Sequence, residues 1–517
     1  MLEKLKLSFT AANKFFFIII LVQLLLLAFL MRIIPAWDNN FYFTMDQGHD
    51  AVWVRELIVR DQILLLGPQT GIEGVFAGPL WFYFIGLGYL LFGGNPFGSV
   101  FMLIVLNLSA AGFLAVVLRR RISSFAALFV LVNLIFFWPF YNVSRYGFNP
   151  FPLVSLSILT VFLLTFSFEG KSKYYLWAAI PVGLAFHTEV AFAIALALFY
   201  LFVGVYLFIK KKISIIKYFL GLLVFLLFFV PHLISEIQTN FSQLSILLKE
   251  FFNPNSTVVG LGLNGVIQNY LKTIGEAVFA QNKYVGLFIL LITFYFFFKR
   301  KDVNQWAGRF IKLSSFLIIV SAFWFATNRG LQEWHLVAVP VLVFISLLLM
   351  LGQITKKIAI LIFSVVFISQ MFFFWGNYVH YFRPFDDPSL LHNEIGVVDW
   401  VYQKAENKGF SVYSYLPSVY DYPYQYLFWW EGTRKYSYVP CEYSSFPGSP
   451  SLFVPGKRFY QTPQKECTNI RFLVIEPDKN MSVQNEWLKG VREGTELIEQ
   501  TKIGGIVIEK RSVTNQI

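Results

Sequence analysis

Ten apolar stretches organise this sequence: 15–34, 98–118, 124–140, 151–168, 190–209, 213–234, 284–298, 310–326, 336–352 and 358–376. A helix needs about 20 apolar residues to cross the hydrocarbon of a bilayer, so each run that reaches or approaches that length predicts a span. Residues 175–209 are too long for one span and long enough for two. Gly183, His187 and Glu189 interrupt them, which predicts a tight turn at 187–189. The expected architecture is therefore an α-helical polytopic membrane protein with about eleven transmembrane helices. Charged residues make up only 14% of the chain, too few to clothe a soluble protein of this length. The first run has a basic flank but no small-x-small cleavage site after it, so it reads as a retained span rather than a cleaved signal.

The net charge of +12 does not imply a nucleic-acid partner, because the basic residues fall in short clusters between apolar runs and form no continuous face. Those clusters are Lys4/Lys6, Arg119–Arg121, Lys171/Lys173, Lys210–Lys212, Lys299–Lys301 and Lys356/Lys357. Basic loops stay in the cytoplasm. All six clusters share one side if the apolar segment 79–93 does not cross, and the first opposes the other five if it does. Segment 79–93 is accordingly expected to lie in the outer interface or to re-enter, with Gly78, Gly86, Gly88 and Gly93 permitting close packing. The N-terminus is then cytoplasmic. The external face comprises the loops 35–97, 141–150, 187–189, 235–283 and 327–335 and the terminal domain, with the plasma (inner) membrane as the expected location.

The first external loop is net acidic and contains Asp38, Asp46 and Asp50. From about Gln47 to Leu65 its pattern is that of a helix lying along the membrane surface. Asp46 falls near the start of that helix, with Asp50 one turn on and His49 beside it. Two readings of Asp46 stay open: an N-cap that satisfies free N–H groups, or a partly desolvated carboxylate able to accept a proton from a hydroxyl. At the outer end of the third span stand Tyr141, Arg145 and Asn149. Arg145 is either an interface anchor or a planar cation suited to a phosphate. His187 and Glu189, and again Glu333 and His335, are ionisable groups at external span boundaries, hence site candidates. For the first pair, mutual hydrogen bonding is the structural alternative. A zinc site from His187, Glu189 and His335 has no supporting ligand spacing, and neither a P-loop nor a Rossmann fingerprint occurs.

Asp46-Gln-Gly-His-Asp50 after a first span, followed by Gly78-Pro-Leu-Trp-Phe-Tyr83, resembles the GT-C superfamily of polytopic glycosyltransferases. The closer resemblance is to glycosyltransferase family 39, the protein O-mannosyltransferases and lipid A aminoarabinose transferases. It implies a catalytic acidic residue in the first external loop, here Asp46, an amphipathic helix after it, and a Pro-Leu-aromatic segment that dips along the membrane. It further implies transfer of a sugar from a polyprenyl-phosphate donor to an acceptor hydroxyl on a protein, lipid or glycan, with inversion and with Arg145 near the leaving phosphate. His49, Asp50, Tyr141, Asn149, His187, Glu189, Glu333 and His335 are the substrate-binding candidates. The family's usual Asp-Glu pair is Asp46-Gln47 here, so no cofactor is expected to be required and the motif gives a divalent metal no support. The rival classes are a transporter or flippase of lipid-linked saccharides, which would more often show matched broken helices in two halves, and a ligase or polymerase of whole glycans.

After Phe382 the composition changes. Helical periodicity over 390–408, then strand patterns at 410–415, 470–475, 494–498 and 504–509, predict a small α/β domain. The domains are thus 1–376, a transmembrane catalytic unit, and 377–517, an extracytoplasmic domain. The aromatic stretch Tyr420–Trp430 suits core, interface belt or sugar-stacking surface. Cys441 and Cys467, the only cysteines, both lie outside the membrane in this topology and are candidates for a disulfide.

Overall fold

The computed structural model describes residues 2–252, 262–278, 282–298, 304–327, 330–352, 355–418, 420–449 and 453–514. The cluster Lys299–Lys301, the pair Asn328–Arg329 and parts of the expected loop 235–283 lie outside the described residues. Among those described, six helices have the length and apolarity to cross a bilayer: Lys14–Trp37, Phe97–Arg121, Val190–Ile209, Gln305–Ala326, Glu333–Leu351 and Lys357–His380. A seventh crossing is available to Ile215–Leu227 and Val230–Gln238, which bend by 54° at their break. Pro231 in the first turn of the second helix has no N–H to carry the ladder through.

The remaining runs expected to span form shorter helices, Ser124–Ile135, Pro152–Ser167, Lys173–Ala185 and Lys283–Phe298. Proline again sets the limits. Run 124–140 breaks before Trp138–Asn142, which has Pro139 in its first turn, and the next helix begins at Pro152. Residues 175–209 divide into Lys173–Ala185 and Val190–Ile209 around the expected turn. Segment 79–93 forms the 12-residue helix Leu80–Leu91, about 18 Å long at 1.5 Å per residue and so shorter than the roughly 30 Å hydrocarbon core. It buries Trp81, Phe82 and Ile85 and exposes Leu87, Leu90 and Leu91. It crosses Phe97–Arg121 where Gly88 meets Gly98; a Cβ on Gly88 would lie 2.1 Å from the Gly98 carbonyl oxygen.

Basic residues gather at one end of the bundle. Arg121 and Lys171 both reach Glu169, at 2.8 and 3.6 Å, Lys217 donates to Ser172 at 2.5 Å, and Asn304 donates to the Arg121 carbonyl. Arg119, Arg120 and Arg121 occupy the last turn of Phe97–Arg121, where cations complement the helix dipole. That helix starts at the opposite end, beside the first loop, so the candidate residues lie away from the basic end.

The terminal domain is the expected small α/β unit. Helix Leu391–Ala405 packs on a five-stranded sheet of β1 (Gly409–Tyr415), β2 (Glu442–Ser444), β3 (Cys467–Ile475), β4 (Thr495–Ile503) and β5 (Ile506–Val513), in the order β2-β1-β3-β5-β4. β1 is parallel to β2 and β3, and β5 is antiparallel to β3 and β4. Gly504 and Gly505, both at positive φ, make the two-residue turn between β4 and β5. Cys441 and Cys467 are bonded, with 5.9 Å between their Cα atoms.

This domain is stitched to the first loop. Phe43 N–H donates to Ser389 O (2.9 Å), Leu391 N–H to Phe41 O (3.0 Å), and the Asn40 amide to Tyr381 O (2.8 Å). The aromatic stretch forms helix Tyr422–Glu431, which lies on the juxtamembrane helix Met45–Val59 so closely that a Cβ on Gly48 would sit 2.4 Å from Pro423 N. Arg55 clamps the pair. Its guanidinium lies 3.6 Å from the Tyr460 ring centroid and donates to the carbonyls of Gln425 and Pro455.

Candidate active site

Thr44, not Asp46, is the N-cap of Met45–Val59. The Gln47 side-chain oxygen accepts from Thr44 N–H (3.0 Å) and from the Thr44 hydroxyl (2.7 Å), reaching back as a capping-box residue does. The N-cap reading of Asp46 is therefore overturned, and Gln47 has a structural task. Asp46 lies in the first helical turn with its side chain accessible, and among the described residues no hydrogen bond or ion pair engages its carboxylate. Surrounding protein nevertheless desolvates it, and this, reinforced by the nearby Asp50 charge and opposed by His49, pushes its pKa above the ordinary carboxylate value. An accessible, uncommitted carboxylate of raised basicity can accept a proton.

Asp50 is different. It is buried, and its two oxygens are taken by Trp81 Nε1–H (2.6 Å) and His49 Nδ1 (3.2 Å). His49 Nε2 accepts from Trp53 (3.0 Å), which leaves Nδ1 as the donor to Asp50. These contacts pin the juxtamembrane helix to Leu80–Leu91 and orient Asp46 one turn away. His49 also meets the Tyr422 ring edge-on at 5.2 Å.

Arg145 stands in the loop 141–150, held in place by a buried polar knot. Asn107 donates to Val143 O and Ser144 Oγ, both at 3.1 Å, while Ser155 donates to Asn107 Oδ1 at 2.6 Å. The guanidinium stacks 3.6 Å from the Tyr381 centroid and 5.7 Å from that of Tyr42. Among the described residues its one polar side-chain contact is Asn142 at 3.4 Å, and Nη2 is buried without a partner. Burial with no opposing carboxylate holds its pKa below the usual arginine value. Tyr146 joins the two halves of the site: it packs against Tyr42 at 5.6 Å and feels the charges of both Arg145 and Asp46.

The other candidates distribute as follows. Tyr141 is buried, its hydroxyl committed to Met31 O (3.1 Å). Asn149 donates to Thr188 O (2.7 Å), joining loop 141–150 to the turn 187–189. His187 is buried and accepts from Leu80 N–H (3.3 Å). Glu189 caps Val190–Ile209 by accepting from Ala191 N–H, and its Oε1 lies 3.5 Å from His335 Nε2. The Glu189 pair is thus with His335 rather than with His187. Glu333 is exposed. Among the described residues no three metal-ligating side chains converge, so His187, Glu189 and His335 do not form a common site. Sequence reading missed Arg32, Tyr42, Tyr146 and Tyr381. Only Arg32 left a signal, as a lone charge inside an apolar run.

The crystal structure of ArnT from Cupriavidus metallidurans bound to undecaprenyl phosphate superimposes with a TM-score of 0.56 at 13% identity, covering 96% of this chain and 98% of that one. The chain shares the fold of that structure. Residues 77–234 also match the family profile described as dolichyl-phosphate-mannose-protein mannosyltransferase. The matched stretch takes in the helix Leu80–Leu91, Arg145 and the turn 187–189. An uncharacterized protein of Aquifex aeolicus (strain VF5) is 29% identical over 212 residues, 38% of this chain and 42% of that protein. The chain therefore spans about two fifths of the length of the curated relative it matches.

Proposed function

We propose that this membrane protein is an inverting glycosyltransferase that moves a sugar from a polyprenyl-phosphate donor to an acceptor hydroxyl on the extracytoplasmic face. The observation that carries the proposal is the free, desolvated Asp46 carboxylate, separated from the uncompensated Arg145 guanidinium by Tyr146 within a GT-C fold. The acceptor O–H gives its proton to Asp46 as the oxygen attacks the anomeric carbon. The carbon–oxygen bond to phosphate breaks from the opposite face, and the departing lipid phosphate keeps the electron pair. Arg145 neutralises that charge, for which a planar, permanently protonated fork is suited. The rings of Tyr42, Tyr146 and Tyr381 exclude water around the bond being made. Residues 377–517 then lie outside the cytoplasm and shape the acceptor side through helix Tyr422–Glu431.

The test uses purified full-length protein in lipid nanodiscs with radiolabelled undecaprenyl-phosphate sugars and an extract of envelope acceptors. Transfer of label that Asp46→Asn abolishes supports the proposal. Movement of the labelled lipid across a vesicle membrane without covalent transfer assigns the chain to transport instead.

A further inference from the structure

The aromatic stretch Tyr420–Trp430 is mostly core. Tyr422, Tyr424, Tyr426, Phe428 and Trp430 are buried, whereas Tyr420 is 45% exposed. Tyr420 is nonetheless braced. It stacks on Tyr422 with centroids 5.8 Å apart and planes 18° from parallel, and the Phe453 ring stands edge-on to both, at 5.3 and 5.2 Å. The Tyr422 hydroxyl donates to Phe453 O (3.3 Å), which ties the two chain segments together. The result is a fixed aromatic surface with one ring open to solvent.

This surface continues to Asp46. Tyr422 meets His49 edge-on at 5.2 Å, and His49 follows Asp46 by three residues, so the two are neighbours on the surface of Met45–Val59. By that path the open ring lies at most about 20 Å from the Asp46 carboxylate, farther than one sugar ring reaches and within the span of a short oligosaccharide. His49 touches Tyr422, Trp53 and Phe82, while Tyr146 touches Tyr42, Phe148 and Phe151. The two sides of Asp46 therefore share no ring: one leads to Arg145, the other to Tyr420.

The chemistry of the surface selects its occupant. The face of a phenol is the negative end of a quadrupole, and it attracts the C–H patch on one face of a sugar ring while the phenol hydroxyl meets the sugar's own hydroxyls. Among the described residues no cation lies over Tyr420, Tyr422 or Phe453, whereas Tyr381, Trp429 and Tyr460 each carry an arginine. A phosphorylated headgroup would find no partner on these rings. They belong to two loops and a helix start, with no unpaired strand edge on which a polypeptide could extend a ladder.

We propose that Tyr420, Tyr422 and Phe453 form the acceptor platform and that the acceptor is an oligosaccharide, one inner ring of which stacks on Tyr420 while a terminal hydroxyl reaches Asp46. The inference rests on the assignment of Asp46 as the base and adds the class of acceptor.

The experiment offers the full-length protein, in nanodiscs with radiolabelled undecaprenyl-phosphate sugars, three separated fractions of an envelope extract: proteins, extracted lipids, and water-soluble saccharides released by mild acid. Label is expected in the saccharide fraction. Tyr420→Ala is expected to raise KM for that fraction roughly three- to tenfold with kcat unchanged, and Tyr420→Phe to restore it. Label confined to proteins or lipids overturns the proposal, and so does a wild-type KM in Tyr420→Ala. If Tyr420→Ala does not fold, the fraction that takes the label decides. If no fraction is labelled, the transferase reading fails by itself, and the platform is tested by titrating the same saccharides against intrinsic tryptophan fluorescence. Saturable binding that Tyr420→Ala weakens then supports the platform, and binding that is absent or indifferent to Tyr420 overturns it. Transfer to saccharides that needs Asp46 but tolerates Tyr420→Ala refutes the platform alone.

Discussion

Gly78→Ala puts one methyl group where the structure has no room. Gly78 N–H donates to Phe186 O (2.9 Å), holding the entrance to Leu80–Leu91 against the turn 187–189. A Cβ there would lie 1.9 Å from His187 Nδ1 and 2.4 Å from its Cε1, far inside the roughly 3.5–4 Å at which non-bonded heavy atoms rest. His187 is 1% exposed, with the Phe228 and His232 rings at 6.1 and 6.3 Å, so it has little space to retreat. Overpacking of this kind costs about 1–3 kcal/mol. Displacing the imidazole also breaks its bond from Leu80 N–H, worth about 0.5–1.5 kcal/mol. Together these give about 1.5–4.5 kcal/mol, or roughly 10- to 1,600-fold in the ratio of correctly docked to displaced protein. The assay is a double-mutant cycle in detergent, scored by the fraction remaining monodisperse after graded heating, with His187→Ala as the second change. His187→Ala should relieve Gly78→Ala, because it removes the atoms that clash, so the coupling exceeds about 1 kcal/mol. If Gly78→Ala melts like wild type, or the two changes simply add, the contact does not exist as described.

Asp46→Asn should leave thermal stability within about 0.5 kcal/mol and lower the transfer rate by roughly 10²–10⁴-fold, measured as label moved per folded molecule. Asp50→Asn should do the reverse, losing about 1–3 kcal/mol of stability because one of two buried donors then faces an NH₂ group, as read by proteolysis of the juxtamembrane helix. In the terminal domain, burial pushes the Glu476 carboxyl up to about 8 from about 4.5. Since the folded form holds that proton more tightly, its contribution to stability is complete below about pH 4.5 and is lost as pH rises through about 8. Glu476→Gln should flatten unfolding profiles across that window. Replacing Cys441 and Cys467 by serine opens a loop with a sequence separation of 26 and should cost about 3–4 kcal/mol by chain entropy, seen as denaturant-induced exposure of Trp400 and Trp487.

Much of this fold is legible in the order of its residues, because lipid imposes a crude rule: long apolar runs become helices. The turn at 187–189, the short helix Leu80–Leu91 and the C-terminal α/β unit follow from such runs and from the change in composition after Phe382. The number of full-length helices does not, since Pro139 and Pro231 cut runs whose hydropathy is continuous. Asp46 was visible by position, but its freedom was not, because the N-cap task passes to Thr44 and Gln47 by a local geometry that several sequences could satisfy. Contacts between Met45–Val59 and Tyr422–Glu431 join segments far apart in sequence and leave no periodic trace. Arg32 is the instructive omission: averaging over an apolar window hides the one charge whose presence there most needs explaining.

The pairing of residues 41–43 with 389–391 also orders events during synthesis. The segment leading into the helix that carries Asp46 leaves the ribosome early, while its backbone partner is made only after the last membrane helix. Until then the end of the bundle beside the first loop lacks one wall, and a shortened product ending before that point cannot complete the candidate site. Assembly of the centre is therefore a late act, deferred until the chain has been threaded through the bilayer for the final time.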